Sequence, residues 1–274
     1  ALVAATGDDY RLVRVRAAAS LANYLNLDLS DTQKESVDAA NGEYLSSLTS
    51  RPDQWTSYYN LGNYYLKRGQ LRTAIASYEA ALKLEPRAVP AMVNESMAYA
   101  QLRETRKSEV SLQRALKISP KSASANFNMG LLKAEQNDLK SAENYLKTAL
   151  KYDPEMAQAA YNLCVMKAKD RIDESVIYCK KAATLRPQEP KYTYTLGFFQ
   201  WQGGDTEAAV KTLEGLMMKH PVHFDAYFLL GEIYETTGKK GEAEKIYSEA
   251  LNLEQVPEGF RKHIRGKLES LRSR

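Results

Sequence analysis

The chain has 274 residues, of which 44% are hydrophobic and 26% are charged, and its formal net charge is +4 at pH 7. This composition is typical of a globular protein that buries a substantial apolar surface, and so small and dispersed a charge does not indicate nucleic-acid binding. No run of about 18 consecutive apolar residues is present, so we expect no membrane insertion. Because the chain begins with Ala1 rather than methionine, we expect a processed protein or a fragment of a longer one.

The first predicted region, residues 1–54, contains two helical segments. Residues 12–21 read Leu-Val-Arg-Val-Arg-Ala-Ala-Ala-Ser-Leu, a run that resembles the second helix of a HEAT repeat. Residues 31–51 place Ala40, Tyr44 and Pro52 at the offsets that recur further along the chain. We therefore predict a HEAT-like helix followed by the second half of a longer repeat.

A period of 34 residues dominates the middle of the chain. Prolines recur at this interval, with one interval of 33, at Pro52, Pro86, Pro120, Pro154, Pro187 and Pro221. Between them a small residue, an alanine, a large residue and another alanine return in fixed order, as in Gly62, Ala74, Tyr78 and Ala81. Apolar positions at three- and four-residue spacing predict two helices per period, over 53–67 and 71–84 in the first.

These residues resemble the tetratricopeptide-repeat family in type, order and spacing. The resemblance covers residues 55–253 as six repeats, which start near Trp55, Val89, Ala123, Ala157, Pro190 and Phe224. It implies an all-α fold, a right-handed superhelical solenoid of antiparallel helix pairs. Two departures stand out: the second repeat has Glu95-Ser96 in place of an apolar-glycine pair, and the fourth repeat is one residue short at its turn.

The last predicted region, residues 254–274, contains an amphipathic helix over 257–272. Its apolar stripe consists of Phe260, Ile264, Leu268 and Leu271, and basic residues cover the rest. A stack of repeats leaves an apolar face open at its end, so we predict a capping helix here.

The family resemblance also implies where a partner binds. In tetratricopeptide repeats, the first helix lines the inner groove through its second, fifth, sixth, ninth and thirteenth positions. The sixth position is asparagine in four successive repeats, and the fifth is aromatic in all but the second repeat. The implied peptide-binding groove consists of Tyr59, Asn60, Asn63, Asn94, Phe127, Asn128, Tyr161, Asn162, Tyr194, Phe198 and Phe228.

Two interpretations of this asparagine ladder remain open. A carboxamide offers a donor and an acceptor, so it can pair with the backbone of an extended peptide, as the similar ladder of O-GlcNAc transferases does. Alternatively, the asparagines bond within the array and have a structural role.

The only two cysteines, Cys164 and Cys179, also allow two interpretations. They are either buried, reduced cysteines that act as small apolar residues, or a disulfide across the helix pair of the fourth repeat. Neither they nor the three histidines have the spacing of a haem or zinc site, and we predict no cofactor or metal.

The predicted function is therefore a protein-interaction scaffold without catalytic activity, which binds a protein or peptide partner. The HEAT-like helix ahead of the repeats is also similar to the carboxy-terminal portion of bacterial multihaem c-type cytochromes. That resemblance implies an alternative, a docking or assembly domain with a cytochrome partner or an upstream haem domain. It would place the chain in the periplasm or outside the cell, with the cytoplasm as the other possibility.

Overall fold

The computed structural model describes residues 1–22, 24, 27–253 and 256–273, and these residues form α-helices joined by short turns, without a strand. The chain divides into two compact units, Ala1–Tyr152 and Asp153–Arg274. The all-α class is confirmed, while the right-handed sense of the superhelix stays a prediction. The three predicted regions also stay a prediction, and positions 254, 255 and 274 of the last lie outside the described residues.

Unit 1 contains the N-terminal helices and the first three repeats. Its helices are α1 (Leu2–Ala5), α2 (Arg11–Leu21), α3 (Asp31–Thr49), α4 (Trp55–Lys67), α5 (Leu71–Leu84), α6 (Val89–Gln101), α7 (Thr105–Ile118), α8 (Ala123–Glu135) and α9 (Leu139–Tyr152). The helix α2 covers the run that resembles a HEAT helix, and a salt bridge of 2.7 Å between Arg14 and Glu43 joins it to α3.

Unit 2 contains the last three repeats and the terminal helix. Its helices are α10 (Ala157–Lys167), α11 (Ile172–Leu185), α12 (Pro190–Gln202), α13 (Thr206–Lys219), α14 (Phe224–Thr236), α15 (Lys240–Leu251) and α16 (Glu258–Arg272). Ile264, Leu268 and Leu271 of α16 are buried in the core formed with α14 and α15. The predicted apolar stripe thus closes the end of unit 2.

The helix ends follow from the residues at the turns. Second helices end at a residue with extended backbone angles immediately before a proline, as at Glu85, where φ is −131° and ψ is 89°. Proline disfavours helical angles in the residue before it, which explains this end point. The turn inside the pair requires a left-handed residue, which is Gly69, Arg103, Asn137, Gly204 or Gly238.

Two positions interlock the helices of each pair. A Cβ added to Gly62 would lie 2.5 Å from the ring of Tyr78, so only glycine allows α4 and α5 to approach this closely. A Cβ on Gly130 would similarly meet Leu146 at 2.9 Å. The alanines beside these contacts are fully buried. The repeating small-and-large pattern is therefore the contact surface between paired helices.

The second repeat, where the sequence departs from the pattern, packs by hydrogen bonding. Glu95 and Ser96 are both buried. Ser96 donates from Oγ to the carbonyl oxygen of Val93 at 2.6 Å, and the buried Glu95 accepts at 2.6 Å from the hydroxyl of Ser111. A buried polar group without a partner is costly, so these bonds let polar residues replace the apolar-glycine pair.

The fourth repeat is one residue short, but the prediction that its turn is shortened is wrong. Residues 168–171 join α10 to α11, four residues where the other repeats have three, and α10 has 11 residues where the other first helices have 13. The two cysteines of this repeat occupy the positions that interlock the other pairs. Cys164 and Cys179 are joined by a disulfide, with their Cα atoms 5.1 Å apart. This Cα separation is in the range that native disulfides adopt.

Candidate functional site

The first helices of unit 1 form a continuous face, which we call the first-helix face and define as the exposed side of α4, α6 and α8. Each of these helices lies against the next, α4 against α6 and α6 against α8. The face brings together six of the predicted groove residues, which are Tyr59, Asn60, Asn63, Asn94, Phe127 and Asn128. Of these, Asn60 is exposed and the others are partly buried.

A polar network crosses the first-helix face from the first repeat to the second. The hydroxyl of Tyr78 donates to Oδ1 of Asn63 at 2.8 Å. The amide nitrogen of Asn94 donates to the same oxygen at 2.7 Å and to the hydroxyl of Tyr59 at 3.3 Å. Burial raises the pKa of Tyr78, which therefore remains a neutral donor. The amide donors of Asn94 thus bond within the array.

Asn128 and Asn162 have a different arrangement. Each donates one amide hydrogen to a carbonyl oxygen four residues earlier in its own helix, Asn128 to Ser124 at 2.9 Å and Asn162 to Gln158 at 2.8 Å. Neither side-chain oxygen accepts a hydrogen bond from the residues that the structure describes. Each side chain therefore keeps an acceptor and one donor hydrogen for an incoming backbone.

A small notch lies beside Asn128, between α6 and α8. Its volume is about 170 Å³, and its lining includes Met97, Gln101, Asn128 and Leu131. Met97 is 37% exposed, which is high for a large apolar side chain. The notch therefore combines an apolar surface with an amide that has hydrogen-bonding capacity left.

The predicted aromatic residues of unit 2 mostly contact neighbouring rings. Tyr161 packs against Tyr192 of α12 with ring centroids 4.9 Å apart, and the ammonium of Lys191 lies 4.4 Å from the Tyr161 ring. Tyr194 packs against His223 at 5.4 Å. These contacts join successive repeats, so the rings contribute to packing within unit 2.

Phe198 and Phe228 belong to the same apolar core of unit 2. Phe198 contacts Phe199 at 5.3 Å between ring centroids, and Phe228 contacts His263 of α16 at 4.9 Å. Both are partly buried against that core. The capping helix therefore covers part of the Phe228 ring.

A second and larger cavity was not predicted from the sequence. It lies between α5, α6 and α7, has a volume of about 880 Å³, and is lined by the buried Glu95, the acidic Glu79 and Glu104, and five basic residues. Burial raises the pKa of Glu95, while the Ser111 hydrogen bond and the charge of Arg114 act in the opposite direction. The departure at Glu95 was visible in the sequence, but the cavity also depends on the small side chain of Ser111.

The described residues contain no cluster of three or more histidine, cysteine or acidic side chains that could hold a metal ion. Among the helices of the described ranges, none combines the length and the apolar composition needed to span a bilayer.

The comparisons with known proteins agree with the predicted repeats. Models of the tetratricopeptide repeat match residues 55–87, 89–122, 127–190 and 200–259, which is well over half of the chain. No curated protein matches the chain by sequence.

Several solved structures share the fold at low sequence identity. The structure of Pseudomonas aeruginosa pilF has a TM-score of 0.64 and 16% identity, and the match covers 80% of this chain and 99% of that one. A chain of the APC/C hetero-tetramer Cut9–Hcn1 has a TM-score of 0.59 and 15% identity, over 93% of this chain and 52% of that one. A tetratricopeptide repeat protein from Parabacteroides merdae has a TM-score of 0.53 and 17% identity, over 94% and 97%.

Proposed function

Because this chain belongs to the tetratricopeptide-repeat family, we propose that it is a non-catalytic scaffold whose first-helix face in unit 1 binds an extended segment of a partner protein. The repeats support the broader role of a protein-interaction scaffold. A chain of the Cut9–Hcn1 hetero-tetramer shares the fold, which supports the proposal, since that protein assembles with another. No observation on the described residues favours the cytochrome alternative, which stays a prediction.

The notch beside Asn128 is the observation that carries this proposal. An extended peptide presents a donor and an acceptor every second residue on one side, and Asn128 keeps one of each available. An apolar side chain of the same segment fits the surface of Met97 and Leu131. Exposed Asn60 offers a second amide on the same face. Asn94 has a positioning role in this scheme, because its donors hold Asn63 and Tyr59.

The charge of the first-helix face indicates which peptide segments it can bind. The fifth, sixth and ninth positions of the three repeats in unit 1 carry no charged side chain. The thirteenth positions are Lys67, Gln101 and Glu135, and of the two charged ones only Glu135 lines the notch. Binding through amides and apolar contacts is weakly screened by salt. We therefore expect the bound segment to be uncharged over its central residues, and its affinity to change little with ionic strength.

The experiment selects peptides from a displayed random library on the whole chain and measures their affinity by fluorescence polarisation. Asn128→Ala should weaken binding by about tenfold or more while the chain stays folded at the assay temperature, because it removes a bidentate partner of the peptide backbone. Leu131→Trp, which obstructs the notch, should weaken the same peptides.

Asn144→Ala is the matched control, since Asn144 is an exposed asparagine on the second helix of the same repeat as Asn128. Its affinity should equal that of the unmodified chain. Selected peptides that bind the Asn128→Ala and Leu131→Trp variants with undiminished affinity would show that the contact surface is elsewhere.

A further inference from the structure

The second-helix side of unit 1 contains a cavity distinct from the first-helix face. This is the 880 Å³ cavity between α5, α6 and α7, which we call the Glu95 cavity. Its buried wall is the carboxyl group of Glu95, whose residue is only 4% exposed. One oxygen, Oε2, accepts from the hydroxyl of Ser111, and no described residue donates to the other. The volume is in the range of ligand pockets.

A comparison of the repeats explains why the cavity exists. Sixteen residues after Glu95, the second helix has Ser111, whereas the corresponding residue of the third repeat is Tyr145. Tyr145 packs against Leu112 and Met129, so a ring occupies the equivalent position there. The fifth repeat has a small Thr212 at this position, and a cavity of about 480 Å³ borders it in unit 2. The small Ser111, in place of a ring, therefore leaves room for the cavity in the second repeat.

At two repeat positions in the Glu95 cavity, the second repeat has a residue type that the other repeats do not have. Glu95 stands where the five other repeats have leucine or methionine, and a buried carboxyl group destabilises a fold. Arg103 has a left-handed backbone with φ of 60°, where the corresponding residues of other repeats are glycine or asparagine. Both residues line this one cavity. Unfavourable residues of this kind are more common at functional sites than in a core that serves stability alone.

The charge around the opening is predominantly positive. The exposed basic residues of the lining include Lys83, Arg103, Arg106 and Arg114. Of the acidic residues at the opening, Glu104 is already paired with Lys107 at 2.6 Å and with Arg72 at 3.5 Å. The lining also contains the exposed Glu79, so its five basic and three acidic residues give a formal charge of 5 − 3 = +2. This positive excess attracts an anionic partner.

We propose that the Glu95 cavity binds an acidic segment of a partner protein, whose carboxylates pair with Arg103, Arg106 and Arg114 while a backbone amide or hydroxyl of the segment donates to Glu95. Arginine fits this role because its planar guanidinium pairs with a carboxylate through two parallel hydrogen bonds. The buried carboxyl group adds specificity, since it favours a donor and disfavours a further acid at the centre of the segment. This site is independent of the first-helix face and does not rest on it.

The test uses the whole chain and a fluorescein-labelled peptide, acetyl-Glu-Ser-Asp-Leu-Glu-Ser-Asp-amide. A matched neutral peptide replaces each glutamate by glutamine and each aspartate by asparagine. At physiological salt the acidic peptide should bind about tenfold more tightly or better, because charge complementarity with the rim distinguishes the two. Equal affinity for the two peptides would overturn the proposal.

Ser111→Tyr is the occluding variant, because it introduces the ring that the third repeat has at this position. It should reduce affinity for the acidic peptide by about tenfold or more. Thr212→Tyr is its matched control, an equivalent change at the same repeat position in unit 2, and should leave affinity unchanged. Arg106→Glu, on an exposed side chain, keeps the test valid if the Ser111 variant fails to fold. Undiminished binding by this variant would contradict the proposal.

Glu95→Met separates specificity from simple charge attraction. Methionine is the residue that the third repeat has here, so the variant should unfold at a higher temperature and yet bind the acidic peptide more weakly. If it binds more tightly, the carboxyl group only repels the ligand and its proposed role is wrong. A single-stranded oligodeoxythymidine of similar charge serves as a competitor. If it binds better than the acidic peptide, the ligand is a nucleic acid and the proposed protein segment is wrong.

Discussion

In the first repeat, Gly62 faces the ring of Tyr78, whereas in the fourth repeat Cys164 faces Cys179 at the same two positions. The first arrangement brings two helix backbones together around one large, fully buried ring. The second has two small side chains and a covalent bond. The two helices of a pair are thus held together by side-chain packing in the first repeat and by a covalent bond in the fourth.

The turns of these two repeats differ as well. The first repeat joins α4 to α5 through three residues that include Gly69 in a left-handed conformation with φ of 70°, whereas four residues, 168–171, join α10 to α11 and none of them has a positive φ. The fourth repeat therefore lacks both the glycine-aromatic contact and the usual turn geometry. The disulfide supplies a constraint where those local features are absent.

Reduction of the disulfide should have the largest effect on this comparison. For two cysteines separated by 15 residues, loss of the bond should lower the free energy of unfolding by about 3 kcal/mol. Urea unfolding with and without dithiothreitol measures the change. A Cys164→Gly/Cys179→Leu variant, which copies the pair Gly130 and Leu146, should recover part of the loss and be insensitive to reductant. If reductant has no effect on the unmodified chain, the bond does not stabilise it.

Gly62→Ala should have the next largest effect, because the added methyl group would lie 2.5 Å from the Tyr78 ring. Overpacking of this kind costs roughly 1–3 kcal/mol. Gly42→Ala is the matched control, since Gly42 lies within α3 and no atom is within 4 Å of its added Cβ. That change should stabilise the chain by about 0.5–1 kcal/mol, because alanine favours a helix over glycine. Thermal unfolding that shifts in the same direction for both variants would disprove the interlock.

Asn94→Ala should have a smaller effect, through the polar network that joins the first two repeats. The change removes the hydrogen bonds to Asn63 and Tyr59, and the expected loss is about 1 kcal/mol. Asn128→Ala should cost less, since it loses only a bond to its own helix. Urea unfolding of both variants makes the comparison. Equal losses would mean that the network adds nothing beyond helix propensity.

Glu95 should give the smallest effect, visible as a dependence on pH. Burial raises its folded-state pKa above the ordinary value of 4.5, although Ser111 and Arg114 partly offset the shift. An acid with a raised folded pKa stabilises the fold fully below its unfolded pKa and loses that contribution as pH rises through the folded value. Glu95→Gln should therefore gain stability relative to the unmodified chain as pH rises above the ordinary pKa of 4.5. Parallel stability curves for the two proteins would contradict this.

Much of the fold could be predicted because the repeat is a packing pattern. The second helix of the first repeat was predicted over 71–84, and α5 spans Leu71–Leu84. The predicted repeat starts coincide with the first residues of α4, α6, α8, α10, α12 and α14. The missing residue of the fourth repeat was also visible, because it shifts every later position in the period, but it shortens α10 rather than the turn after it.

The site was less predictable for a physical reason. An asparagine amide bonds equally well to a neighbouring side chain or to a ligand, so the sequence could not distinguish Asn94 from Asn128. Only the hydrogen bonds around each side chain make that distinction. The Glu95 cavity could be predicted only by comparing Ser111 with Tyr145 of the third repeat. A cavity forms where a large side chain is absent, and such an absence is not part of any sequence motif.

Native-state hydrogen exchange, read by mass spectrometry with and without reductant, tests most directly that each helix pair is fixed by its own pair of positions. Contacts in a repeat array are local, so opening is local as well. Reduction should accelerate exchange of the amides in α10 and α11 and leave those of α4 and α5 unchanged. Uniform acceleration along the chain, or no acceleration in α10 and α11, would contradict the account.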